Sequence, residues 1–360
     1  MISQKAAGLT PYKAGEQPQD KTYIKLNTNE NPYPPSDKVI SALKNADLSR
    51  LRLYPDPDST ALRAAAAKEF GLSPNNIFCG NGSDEILAFC FQAFFDGLTC
   101  GSSSRLKYVY FPSVTYSFYP VWCNLFDIQY KTAALDREFS INAKDYLDLK
   151  DGQGVVIANP NAPTGRALPL SDIEKIVAAN KGRAVIIDEA YVDFGGETAA
   201  KLIKRYDNLC VVRTFSKGCS LAGMRAGFAM GSETLINALN KIRDSFNSYP
   251  LDTLAQAAAA AAIADREYYA AQNAKVIQTR ERFTKQLRDA DFYVVPSAAN
   301  FVFCSHKTTP AQTLYLKLKE AGVLVRWFDK PLIGNFLRIS IGADKDMDAC
   351  AELLSQFTLH

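Results

Sequence analysis

Short, unbroken apolar runs separated by helix-length stretches constrain what this chain can fold into. They fall at Ile77-Phe78-Cys79, Tyr108 to Phe111, Val155 to Ala158, Ala184 to Ile187 and Cys210-Val211-Val212. A strand with one wet face alternates apolar and polar residues; one that is apolar throughout is buried on both faces. Such strands, spaced by helices, predict an α/β fold with a mostly parallel sheet flanked by helices. The intervening helices read as Ser59 to Phe70, capped by Asp58 or Ser59 and stopped by Gly71, and as Ile86 to Phe95.

The pattern changes beyond about residue 250. A long helical region, Asp252 to about Asp289, precedes short elements: Phe292 to Val295, Phe301 to Cys304, Ala311 to Glu320, Val323 to Arg326 and Leu337 to Ile341. That succession predicts a smaller α+β domain. A chain of 360 residues also exceeds one ordinary core. We therefore expect a large domain over residues 46–250 and a small C-terminal domain over 251–360. Residues 1–45, rich in Asn and Pro, read as an arm over the site or against the small domain.

Composition removes several function classes. Basic residues number 41 and acidic ones 38, a balance that gives no reason to expect nucleic acid or an anionic membrane as partner. No apolar stretch reaches the roughly 18 residues of a membrane helix. The start, Met1-Ile2-Ser3-Gln4-Lys5, lacks the apolar core of an export signal. The eight cysteines form no Cys-x-x-Cys pair and read as reduced thiols, which points to the cytoplasm. The two histidines, His306 and His360, are too few for a multi-His metal site, and no metal is expected.

Three segments carry chemistry. Val185-Ile186-Ile187-Asp188 ends an apolar strand in a carboxylate, with Tyr191 three residues on. At the carboxyl end of a parallel strand an acid faces the ligand crevice. Next comes Thr214-Phe215-Ser216-Lys217-Gly218, with Arg225 in the Gly-rich stretch behind it. Before both lies Asn159-Pro160-Asn161-Ala162-Pro163-Thr164-Gly165. Together they supply what pyridoxal phosphate (PLP) requires: an amine for a Schiff base, a carboxylate for the pyridine nitrogen, and hydroxyls plus a guanidinium for the phosphate. Lys217 must be unprotonated to attack an aldehyde, so it needs a desolvated or cationic setting. Gly80-Asn81-Gly82-Ser83-Asp84-Glu85 joins a strand to a helix, and free N–H groups there make a phosphate site. Tyr116 could stack on the ring. Arg338, inside an apolar strand, needs an anion, and Arg326 could add a second charge.

These residues resemble the fold-type-I PLP-dependent aminotransferases, and among them most closely the histidinol-phosphate aminotransferase family. Leu9-Thr10-Pro11-Tyr12, Asn29-Glu30-Asn31-Pro32 and Leu53-Tyr54-Pro55-Asp56-Pro57 extend the likeness over nearly the whole chain. The resemblance implies that Lys217 is the Schiff-base lysine and the acid/base of a 1,3-proton shift. It implies that Asp188 and Tyr191 hold the ring, that Tyr116 stacks on it, and that Ser83, Asp84, Thr214, Ser216 and Arg225 surround the phosphate. Tyr54 would reach the cofactor of a neighbouring subunit, making a homodimer. Tyr12, Arg326 and Arg338 would hold the substrate's phosphate or carboxylate. One departure stands out: the position directly before Pro-Thr-Gly, commonly Asn, is Ala162 here. Asn161 could take that role, or Tyr191 could act alone. The implied reaction is ping-pong transfer of an amino group from L-glutamate to imidazole acetol phosphate. An aromatic or broad-specificity aminotransferase and a threonine-phosphate decarboxylase remain open alternatives.

Overall fold

A computed structural model describes residues 1–97 and 107–358. Its strands begin with β1 (Ile24–Lys25), β2 (Ile77–Gly80), β3 (Tyr108–Pro112), β4 (Gln129–Ala133) and β5 (Gly152–Ala158). They continue with β6 (Ala184–Asp188), β7 (Leu209–Thr214), β8 (Gly227–Met230), β9 (Phe292–Val295) and β10 (Phe301–His306). Last come β11 (Val323–Leu324), β12 (Arg326–Trp327) and β13 (Leu337–Ser340). The large sheet has the order β2-β8-β7-β6-β5-β3-β4. Its pairings are parallel except at β8, which runs antiparallel to both β2 and β7.

The unbroken apolar runs have a direct cause in this sheet. Val155, Ile157, Val185, Ile187, Leu209 and Val211 enter one core. Their chain neighbours Val156, Ala158, Ile186, Cys210 and Val212 enter another on the opposite face. Alternation along each strand sends successive side chains to opposite cores, so both sets must be apolar.

The second sheet, β12-β13-β10-β9, is antiparallel. The run Val323 to Arg326 is not one strand. β11 pairs in parallel with β1 of the N-terminal arm, whereas β12 pairs with β13. Leu26, just after β1, is buried in the core of this smaller sheet. The expected long helix is also two. Thr253–Ile263 sets Ala255, Ala258, Ala259 and Ala262 into the first core of the large sheet. After a break at Ala264 and Asp265, the helix Arg266–Asp289 gives Tyr269 to that core and Val276, Phe283 and Leu287 to the core of the smaller sheet.

Some local readings need correction. Neither Asp58 nor Ser59 caps the helix Thr60–Phe70 through its side chain; the Asp56 carboxylate accepts the Thr60 N–H at 2.7 Å. The next helix runs Gly82–Phe94, so Gly82, Ser83 and Asp84 belong to its first turn. Tyr116 lies just before the helix Phe118–Leu125. Cys79, Cys90, Cys123, Cys210, Cys219, Cys304 and Cys350 are free thiols. Cys100 and His360 lie outside the described residues. His306 is buried, and its Nδ1 accepts the Thr309 N–H at 3.0 Å, a structural role.

The consequence for function is an edge. The carboxyl ends of β2, β5, β6 and β7 come out together, as Ala158 registers with Asp188 and Asp188 with Val212. Because β8 runs the other way, its first residue, Gly227, lies opposite both Gly80 and Thr214. Arg225 is thereby delivered to the same edge.

Candidate active site

Between this edge and the β12–β13 pair lies a cavity of about 410 Å³. Of the residues singled out from sequence, it is lined by Tyr12, Ser83, Asp84, Tyr116, Asp188, Tyr191, Thr214, Ser216, Lys217, Arg225, Arg326 and Arg338. They come from separate segments of the arm, the large sheet and the smaller sheet, and the fold brings them together.

Lys217 lies three residues past the end of β7 at Thr214. Its Nζ donates to the Thr28 carbonyl at 2.9 Å and stands 6.0 Å from the centre of the Tyr191 ring. Burial, then the Arg338 and Arg225 guanidiniums, lower its pKa to about 8. A charge is disfavoured where water is scarce and like charges are near. Lys217 is thus held as an amine that can lose its proton close to neutral pH.

Asp188 ends β6. Its Oδ2 accepts from the Tyr119 hydroxyl at 3.0 Å and its Oδ1 from the Ala190 N–H at 3.1 Å. Burial pushes the carboxyl up to about 6, against the pull of both hydrogen bonds. A buried carboxylate in that balance favours a cationic partner such as a protonated ring nitrogen. Tyr191 meets Phe301 edge-on at 5.1 Å, and its hydroxyl accepts from the Asn29 amide at 2.9 Å.

The first turn of the helix Gly82–Phe94 forms the anion end. Gly82 adopts φ +79°, and a Cβ there would stand 2.6 Å from Arg225 Nη2. Only glycine lets the guanidinium approach the helix start this closely. Arg225 Nη1 donates to Ser216 Oγ at 3.3 Å, and Thr214 Oγ1 bonds Ser216 Oγ at 3.0 Å. Exposed helix N–H groups, two hydroxyls and a guanidinium suit a phosphate. Asp84 points elsewhere: its carboxylate accepts from the Tyr116 hydroxyl at 2.7 Å and faces Arg225 Nη2 at 3.5 Å. It orients those two groups.

Arg326 and Arg338 are direct partners across β12 and β13. Arg338 Nη2 donates to the Asn27 carbonyl at 2.9 Å, while its Nε is buried without a partner. Arg326 donates to the carbonyls of Ala14 and Lys13 at 3.0 and 2.8 Å. Burial lowers the Arg338 pKa, and Arg326 adds to that. Two guanidiniums side by side, with no carboxylate partner among the described residues, call for an anionic ligand. Tyr12 stacks on Phe118 at 4.2 Å, at the wall of the same space.

Asn161, expected at the cofactor, is not brought in, and Tyr54, expected in a neighbouring copy's site, lies outside this cavity. Asn161 is wholly buried, and its side chain is consumed by its own surroundings. Its amide donates to the Val114 carbonyl at 2.9 Å and to Thr164 Oγ1 at 3.1 Å, and its Oδ1 accepts from Thr115 at 2.8 Å. Ala162 lines the cavity instead. Tyr54 is 81% exposed, stacks on Tyr249 at 4.6 Å, and does not line this cavity. Conversely, Tyr119 and Thr28 were not singled out, and Asn29 was read only as part of the arm. Tyr119 sits in an apolar helix and looks like core; the Asn-rich arm was the only signal for the other two.

Residues 21–357 match the family described as aminotransferase class I and II. A histidinol-phosphate aminotransferase of Brachyspira hyodysenteriae is 50% identical over 352 residues, covering 98% of this chain and 97% of that one. One from Clostridium beijerinckii is 48% identical, covering 98% and 96%. Among solved structures, histidinol-phosphate aminotransferase from Sinorhizobium meliloti in complex with pyridoxal-5'-phosphate has TM-score 0.84 and 24% identity, covering 94% of this chain and 92% of that one. The Clostridium acetobutylicum enzyme has TM-score 0.83 and 21% identity, covering 93% and 98%. These structures share the fold. With the family match spanning nearly every residue, the chain belongs to the class I and II aminotransferases.

Proposed function

We propose that the chain is a PLP-dependent histidinol-phosphate aminotransferase, moving an amino group between L-glutamate and imidazole acetol phosphate. The observation that carries this reading is one cavity holding a depressed lysine, a buried carboxylate and a cross-strand arginine pair. Relatives about half identical over almost the full length support the choice of substrate.

The residues present fit the cofactor. Ser83, Thr214, Ser216 and Arg225, with the N–H groups at the helix start, would hold its phosphate, and Asp84 would orient Arg225 and Tyr116. Tyr116 would lie against the ring and Tyr191 would face its phenolic oxygen without help from Asn161. Asp188 would hold a proton at the pyridine nitrogen. When bound, PLP supplies an electron-accepting ring that acidifies the substrate's Cα–H bond. Lys217 Nζ would take and hold that proton, which requires an amine free near neutral pH. Arg338 and Arg326 would pair the substrate's carboxylate or phosphate, and Tyr12 would close the wall beside them.

The arm (residues 1–45) would hold Lys217 and Tyr191 through Thr28 and Asn29 while β1 ties it to the small sheet. The large unit, residues 46–250, would carry the cofactor, and residues 251–360 the substrate arginines. A homodimer would use Tyr54 in the neighbouring site, which suits its exposure and that of Leu48, Leu51 and Leu53. Among the described residues no helix is long and apolar enough to cross a membrane, and the thiols are free. Both suit a cytoplasmic enzyme.

The test is an absorbance titration of PLP-loaded protein with L-histidinol phosphate, L-glutamate, L-phenylalanine and L-threonine phosphate. Conversion to the amine form by glutamate, and by histidinol phosphate at far lower concentration than phenylalanine, is expected. Equal or better response to phenylalanine would make the enzyme an aromatic aminotransferase. Response to threonine phosphate alone, without lasting conversion, would replace transamination by decarboxylation.

A further inference from the structure

Behind Lys217, on the face of the large sheet away from the cavity, lies a second polar assembly. Arg213 precedes Thr214 in β7, so its side chain leaves by the opposite face. Its Nη2 pairs closely with Asp193, and its Nη1 stands 3.8 Å from Glu189 Oε2. Glu189 follows Asp188 in the chain and is buried. It accepts from Thr198 Oγ1 at 2.7 Å and from the Ala199 N–H at 2.6 Å. Its own N–H donates to the Val212 carbonyl at 2.8 Å. The assembly therefore joins the ends of β6 and β7 at the two residues adjacent to Asp188 and Thr214.

Asp193 carries this bracing to Lys217. Its carboxylate lies against the Cα of Gly218: a Cβ there would stand 2.8 Å from Asp193 Cγ and 2.9 Å from Asp193 Cβ. Gly218 has no positive φ, so glycine is demanded by the approach alone. The other side of the same peptide is also held. The Asn31 amide donates to the Lys217 carbonyl at 3.1 Å and to Asn273 Oδ1 at 3.3 Å.

We propose that Asp193, fixed by Arg213, is a positioning residue that seats the Lys217–Gly218 peptide and so aims the Lys217 amine. The carboxylate cannot swing aside without leaving Arg213, and Arg213 cannot leave Asp193 without weakening its hold beside Glu189. Asp193 does not line the cavity; it acts through the backbone of Gly218. The inference rests on the aminotransferase reading above.

The test is a suppressor pair. Gly218→Ala forces the peptide off Asp193, and a misplacement of about 1 Å costs about a hundredfold in rate. Turnover of glutamate with imidazole acetol phosphate should fall by about that factor, with KM nearly unchanged. The uptake of PLP by apo-protein, followed by its visible absorbance, should show a displaced pH midpoint. Adding Asp193→Gly relieves the clash but removes the seat, so at least about tenfold of the turnover should return while the midpoint stays displaced. Wild-type-like behaviour of Gly218→Ala, or a double variant no better than the single one, overturns the inference. Should Gly218→Ala not fold, Asp193→Asn keeps the shape and loosens Arg213. Reduced kcat with a shifted midpoint then supports the role, and unchanged values overturn it. Wild-type protein that binds PLP but moves no amino group would instead sink the functional reading.

Discussion

The fully buried Tyr119 hydroxyl donates to Asp188 Oδ2 across 3.0 Å, behind the cavity that Asp188 lines. It is one of two hydrogen bonds that oppose the upward pull of burial on the Asp188 carboxyl. A hydrogen bond to a charged group is worth about 1.5–3 kcal/mol, or roughly ten- to a hundredfold in a binding constant. Tyr119→Phe should therefore weaken PLP binding by at least about tenfold. The lost bond is one that lowers the pKa, so Asp188 should titrate above about 6 and the acid limb of kcat should move to higher pH. Cofactor titration and a pH–rate profile read both effects; no change in either would remove Tyr119 from the support of Asp188.

Lys217 gives a pH dependence of opposite sense. Its folded pKa is lowered to about 8 from 10.5. Between those values the unfolded chain binds more protons than the folded one, so folding stability must rise with pH across that window. Below it, the folded chain carries the full penalty of a buried ammonium. In Lys217→Met the penalty is absent. The denaturation midpoint of wild-type apo-protein should gain on that of the variant as pH rises from about 8 to 10.5. A constant gap would mean that Lys217 is not desolvated. Lys217→Ala should still bind PLP through the phosphate site and should not transaminate.

The cross-strand pair Arg326 and Arg338 separates substrate binding from cofactor binding. Arg338 has a buried Nε without a partner, an arrangement that disfavours the empty site. Arg338→Gln should raise KM for glutamate by about a hundredfold, the scale of a lost bidentate charge-assisted contact. PLP affinity should barely move. The apo-variant should be no less stable to heat than wild type, since a desolvated charge has been removed. A variant with unaltered KM would reassign Arg338 to an internal structural role.

What the sequence discloses depends on whether a residue's surroundings follow from its neighbours in the chain. Asp188 and Thr214 end apolar strands, Lys217 follows Thr214 by three residues, and in a parallel sheet such ends meet at one edge. Their convergence was readable for that reason. Arg225 was readable as a basic residue in a Gly-rich stretch, but its delivery depends on β8 running backwards. Gly227-Phe228-Ala229-Met230 carries no signal of that direction. Asn161 shows the reverse failure. An amide beside Pro-Thr-Gly reads alike whether it faces a ligand or its own loop, and here Val114, Thr115 and Thr164 take it. Tyr119 was invisible because an aromatic on an apolar helix is ordinary core; only the fold sets its hydroxyl beside Asp188.

Tyr54 leads to the last prediction. It is exposed, stacked on Tyr249 and clear of its own chain's cavity, so any catalytic part it plays must be in another copy. Tyr54→Phe should then weaken PLP binding while leaving the thermal unfolding of apo-protein unchanged, because among the described residues the exposed hydroxyl has no hydrogen-bond partner. Complementation separates a shared site from a merely adjacent one. Lys217→Ala and Tyr54→Ala are each expected to be nearly inactive alone. Mixed and allowed to exchange subunits, they form heterodimers in which one site has its own Lys217 and a Tyr54 donated by the Lys217→Ala partner. That site is complete, and the other lacks both groups. Random exchange puts half of the dimers in this form, so activity should return to about a quarter of wild type. Recovery to that level, with a dimeric mass in solution, would establish that two chains build each site. No recovery in a mixture shown to exchange would confine the active site to one chain.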